Sequence, residues 1–125
     1  MLQRRGRGRV LRANGGGIPE KGHGAVPIRE ALLVGTGNGC FALAIDDGRL
    51  LWFRKVDESA VFGLHPNTAG DGVIVHGEMD ISHWSLGGEC RWREGGADMF
   101  TGELTVGPEG VRVADFNGRL DRFRE

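Results

Sequence analysis

The sequence lacks several features that would have placed it at once. No apolar stretch approaches the roughly 20 residues that a membrane-crossing helix needs, so no such span is expected. There are two cysteines, Cys40 and Cys90, too few for a disulfide scaffold and in no zinc-like spacing. Two reduced thiols in a cytoplasmic, reducing compartment are the expected reading, with a single Cys40–Cys90 bridge as the alternative. The net charge of −1 excludes a general nucleic-acid sponge. No G-x-S-x-G nucleophile elbow, phosphate-binding P-loop or H-E-x-x-H metal helix occurs. A helical apolar stripe of useful length is also missing, because 23 of the 125 residues are glycine. Interior Gly costs a helix about 1 kcal/mol relative to Ala.

What is present divides the chain in two. Residues 1–27 carry Arg4, Arg5, Arg7, Arg9, Arg12 and Lys21 against one acid, Glu20, together with seven glycines. This stretch has too little apolar surface to offset the entropy of ordering, so a disordered Arg/Gly-rich tail is expected. Its arginines could touch phosphate. It holds no aromatic residue to stack on bases, so nucleic acid is not the expected partner. Residues 28–125 carry the opposite sign, with 10 basic and 16 acidic residues.

From residue 28 onward, short apolar runs alternate with Gly, Asp and Asn, the signature of an all-β domain. Ten strands are expected, at Ala31–Thr36, Cys40–Ile45, Leu50–Lys55, Ala60–His65, Val73–Gly77, Ile81–Leu86, Glu89–Arg93, Met99–Val106, Val111–Asp115 and Arg119–Arg124. One helical turn within Ile28–Val34 is a minor alternative. Asn38-Gly39 and Asn117-Gly118 suit type I′ hairpin turns, which need positive φ at both central residues. Asp47-Gly48 and Gly87-Gly88 provide similar punctuation.

These landmarks repeat. Asn38-Gly39 recurs as Asn117-Gly118, Gly48 as Gly88, Trp52 as Trp92, and Val73-Ile-Val75 as Val111-Arg-Val113. The period is close to half the Asn-Gly spacing and holds four short strands, the spacing of a propeller blade. A single such unit cannot cover both of its faces, so units must stack. Trp52 and Trp92 would fill the space between neighbours. With Trp84, they could alternatively form a ligand-stacking platform.

The stretch Cys40-Phe-Ala-Leu-Ala-Ile-Asp-Asp-Gly-Arg-Leu-Leu-Trp52 resembles the repeat of the pyrroloquinoline-quinone-like β-propeller superfamily. Ile81–Trp92 is similar to a second copy, and Val111–Arg124 to the first half of a third. The resemblance implies a partial propeller-like array of about two and a half repeats. A single curled sheet or small sandwich is the alternative. No cofactor and no family catalytic residue carry over.

The remaining chemical candidates are few. His76, Glu78 and Asp80 alternate along the chain, with His83 nearby, and their N and O atoms would suit a divalent metal if they shared a strand face. Asp46, Asp47, Asp57 and Glu58 could be paired carboxylates, although Asp beside Gly is ordinary turn chemistry. The function expected is a non-catalytic repeat domain working by protein interaction or self-association through exposed strand edges. A small metal-dependent enzyme using His76, Glu78, Asp80 and His83, or a ligand sensor, is the alternative.

Overall fold

A computed structural model describes residues 24–125. The basic stretch Met1–His23, with its five arginines, lies outside the described residues. The described chain is all-β, with eleven strands in three antiparallel sheets and no helix. The first sheet runs β1 (Ala25–Ile28), β2 (Ala31–Thr36), β3 (Gly39–Ala44) and β4 (Leu50–Lys55) in spatial order. The second runs β5 (Val61–Pro66), β6 (Gly72–Gly77), β7 (Asp80–Ser85) and β8 (Cys90–Gly95). The third holds three strands, β9 (Leu104–Gly107), β10 (Gly110–Ala114) and β11 (Leu120–Phe123).

Each sheet is an up-and-down meander, because its tight connections allow only antiparallel neighbours. The sheets are separate and stack face against face in chain order. They form neither one curled sheet nor a two-layer sandwich. Two cores lie between them. The first joins Leu33, Ala42 and Trp52 to Leu64, Val73, Val75 and Trp84. The second joins Ile74 and Ile81 to Phe100, Leu104, Val111 and Val113. Alternate residues of a strand point to opposite faces, so β6 sends Val73 and Val75 backward and Ile74 forward. All six of its residues are buried, which explains its continuous apolar run.

Four expectations need correction. The Ile28–Val34 run is no helical turn. It is the end of β1, a tight turn and the start of β2, with Arg29 at φ 55. Strand β1 also starts at Ala25, within the stretch assigned to the tail. Its four residues with Pro27 in the middle are a weak strand signal, tolerated because β1 is the end strand of its sheet. The β2–β3 turn is likewise not type I′ at Asn38-Gly39. Thr36 pairs Gly39, so the central residues are Gly37-Asn38, and only Gly37 has positive φ, at 54. That is the pattern of a type II′ turn. At Asn117-Gly118 only Gly118, at φ 83, is positive.

Candidate functional site

The stacking of the sheets is held by a repeated set of bonds. Gly37 O, in the β2–β3 turn, accepts from Val61 N at 2.7 Å. Glu78 O, in the β6–β7 turn, accepts from Phe100 N at 2.8 Å. The second turn of each of the first two sheets thereby binds the chain that leads into the next.

The tryptophans add a second tie. Trp52 stands opposite Ala42, and its Nε1 donates to Leu86 O at 2.8 Å, just beyond β7. Trp92 stands opposite His83, and its Nε1 donates to Glu125 O at 3.2 Å, just beyond β11. The indole of Trp52 lies on Gly88, where an added Cβ would come within 2.9 Å of the ring. Arg54 also lies over the ring, with Nε on Gly88 O at 3.0 Å and the guanidinium 5.8 Å from the ring centroid. Trp92 stacks on Phe123 with centroids 5.6 Å apart. Trp52 and Trp84 are 8% and 7% exposed, and Trp84 Nε1 is bound to Ser82 Oγ at 2.8 Å. Neither offers a ring face to a ligand.

The histidine and carboxylate candidates are brought together less closely than their spacing allows. Strand β6 ends at Gly77, so Glu78 lies in a turn rather than on the face of His76. His76 is fully buried, with Nε2 2.7 Å from Phe100 O. Glu78 accepts from Ser59 Oγ, and Asp80 from Arg93 Nε at 2.7 Å. His83 Nε2 lies 3.0 Å from Asn67 Nδ2 and 3.2 Å from an Arg91 nitrogen. No group of three or more such side chains placed to hold a metal occurs among the described residues.

Around His83 a polar cluster closes the β5–β6 loop. Asn67 Oδ1 accepts from the backbone N–H of Asp71 and Gly72, and Arg91 pairs Asp71 at 3.0 Å. Arg91 and Asn67 hold the Asp71 carboxyl down to about 2. Burial, then the Arg91 charge, pushes His83 below its ordinary value. Thr68 donates twice to the Glu125 carboxylate, so this loop also grips the chain beyond β11. These bonds satisfy loop backbone and join sheets, which is structural work.

Asp57 does similar work. It is fully buried and accepts from the backbone N–H of Ser59, Ala60, Met79 and Asp80. No local pattern signals this role, because the donors at Met79 and Asp80 are over 20 residues away. Asp46 and Asp47 both pair Arg49 in the β3–β4 turn, as turn chemistry implies.

Register equivalence exposes the remaining feature. On the backward faces, cross-strand pairs Val73–Trp84 and Val75–Ser82 in the second sheet match Val111–Phe123 and Val113–Asp121 in the third. These rest on the preceding sheet. Their equivalents in the first sheet, Leu32–Leu43 and Val34–Phe41, are only half-buried, and Phe53 beside them is 50% exposed. Leu51 and Ile45 extend the exposed apolar area. The forward faces show the opposite trend. Leu33–Ala42 and Ile74–His83 become Arg112–Arg122 in the third sheet, both exposed.

Similarity to solved structures follows the same units. The BamB protein of Moraxella catarrhalis superposes with a TM-score of 0.64 at 18% identity, over 79% of this chain and 32% of that one. The N-terminal domain of Nup159 gives 0.55 at 17% identity, over 81% and 27%. The fold is a partial β-propeller. Its three sheets are two full blades and a third of three strands, and the chain spans about a third of each matched structure. No protein-family model matches the sequence, and no curated protein does. In blade terms, the Trp ties and turn-to-linker bonds join each blade to the next, and the half-covered pairs form the backward face of the first blade.

Proposed function

We propose that this chain is a non-catalytic propeller module that acts in protein interaction or assembly. The observation that carries the reading is the first blade's backward face. It places apolar side chains where the two other blades bury Val73, Val75, Val111 and Val113, yet leaves Leu32, Val34, Phe41 and Leu43 half-covered and Phe53 exposed. A contiguous apolar surface of this kind marks an interaction site in a folded protein. The contact is a sheet face, rather than the strand edges that the sequence favours.

A photo-crosslinking amino acid in place of Phe53, in the full chain within its native cells, tests this reading. Discrete adducts with protein are expected at position 53, with few at exposed Glu109 on the β9–β10 turn. If position 53 gives only solvent-quenched product, the reading fails.

A further inference from the structure

Asn67, Asp71, His83, Arg91 and Glu125 meet where the second and third blades join, and the hydrogens among them fix one protonation state. The Asn67 amide is oriented, because Oδ1 accepts from the backbone N–H groups of Asp71 and Gly72. Its Nδ2 therefore donates, to Asp71 Oδ1 at 2.7 Å and to His83 Nε2 at 3.0 Å. An Arg91 guanidinium nitrogen lies 3.2 Å from the same Nε2 and can only donate. A ring nitrogen that faces two donors must offer its lone pair. His83 is therefore the neutral imidazole, with its proton on Nδ1.

A second proton has no place there. On Nε2 it would point at two donors and set a cation beside the Arg91 guanidinium. His83 is only 3% exposed, so water cannot replace the lost partners. The nearby carboxylates are committed elsewhere. Asp71 is turned to Asn67 and Arg91, and Glu125 accepts from Thr68 N and Oγ1. Strand β6 presents uncharged Ile74 opposite the ring, and β8 adds Trp92 edge-on. Burial, then the Arg91 charge, oppose protonation. Glu125 and Asp71 offset them only in part, so the ring is held below its ordinary 6.5. A ring released to water titrates near its ordinary value. The released form therefore gains on the closed form as the pH falls below 6.5 and through the lower closed-state value.

The β5–β6 loop is the part that can give way. Its bonds centre on Asn67, and its next residue, Thr68, holds Glu125 just beyond β11. Glu125 O in turn accepts from the Trp92 indole. Asn67 thus links the His83 ring to the grip on the third blade. We propose that His83 is a proton-operated latch. Its protonation frees the β5–β6 loop, which lets go of Glu125 and loosens the end of the third blade from the second. The interface of the first and second blades stays closed, because the Trp52 tie and the first core share no side chain with this cluster.

Nitrogen NMR of the full chain between about pH 7.5 and 5 reads the ring and the latch together. The His83 ring nitrogens report its protonation. Hydrogen exchange, corrected for its intrinsic pH dependence, reports the Thr68 amide and the Trp92 indole. Protection of both is expected to fall at least about threefold as His83 takes its proton, with one shared midpoint below 6.5. The Trp52 indole is expected to keep its protection. His83→Gln keeps an acceptor for both donors and takes no proton, so its Thr68 protection should stay level across the range. Thr68→Val cuts the grip on Glu125 at an exposed residue. It should give at about pH 7.5 the Trp92 exchange that the wild type reaches only in acid. Thr68 protection that stays level in the wild type, falls at a midpoint other than the ring's, or falls equally in His83→Gln overturns the proposal. So does a Thr68→Val chain in which Trp92 keeps its neutral-pH protection. The wild-type midpoints decide the matter even if His83→Gln does not fold.

Discussion

At the scale of single residues, the interface is held by directional bonds set into apolar contact. Trp52 supplies both. Replacing it by Phe keeps most of the buried area but removes the bond to Leu86 O. The net value of such a bond is about 1 kcal/mol, so Trp52→Phe is expected to cost about that much in denaturant unfolding. Gly88→Ala at the other partner combines a strained positive φ with a clash against the ring, and should cost more. Equal stability of Gly88→Ala and Gly48→Ala would refute the Trp52 packing account, since both glycines have positive φ and only Gly88 lies against the ring among the described residues. His83 makes a prediction in pH. The unfolded chain holds this group near its ordinary 6.5, and the folded chain holds it lower. The unfolded state then binds protons more readily. The stability this group contributes is full above 6.5 and is lost as the pH falls through the lower folded value. Unfolding free energy measured between about pH 7.5 and 5.5 should fall more steeply in the wild type than in His83→Asn. Parallel slopes would remove His83 from the account.

At the scale of elements, a strand's legibility followed its surroundings. Strands β2 and β4 have the bounds expected of them, because turn residues bracket them on both sides. Strand β6 was legible as a continuous apolar run, and burial between two neighbours is the physical reason. Strand β1 was missed because four residues with a proline carry almost no periodic signal, and its pairing with β2 supplies what the sequence does not show. The Asn38-Gly39 turn was misplaced by one residue. Gly37-Asn-Gly39 offers two glycines, and the pairing of Thr36 with Gly39 decides between them. The metal reading of His76, Glu78 and Asp80 depended on one unbroken strand, which the turn at Glu78 interrupts. The two faces of the array give a contrast that stability can read. Ile74 is fully buried between blades, so Ile74→Ala is expected to cost about 2–5 kcal/mol. Phe53 sits half-exposed on the open face, so Phe53→Ala should stay within about 0.5 kcal/mol in the isolated chain. A large loss at Phe53 would mean that the face is already covered in solution.

At the scale of the whole molecule, a stacked array has a stability built from units and nearest-neighbour interfaces. The second blade is covered on both sides. The third has three strands and one covered face, and depends on the second through the core around Phe100 and Ile74 and through the contacts of Trp92 and Glu125. Trp92 stacks on Phe123, lies edge-on to His83 at 5.9 Å, and bonds Glu125 O. Thr68 holds the same glutamate from the β5–β6 loop. Removing the Trp92 ring therefore loosens one interface and leaves the other intact. In Trp92→Ala, amide exchange of β10 and β11 should accelerate strongly, while the β2–β3 pairs keep their protection, because the Trp52 tie and the first core do not involve Trp92. Local opening of this kind lies below the global unfolding free energy, so exchange in native buffer reads it before any melting curve does. Uniform acceleration across all three sheets would instead show that the array opens as one cooperative body, and that the blades are not separable units of stability.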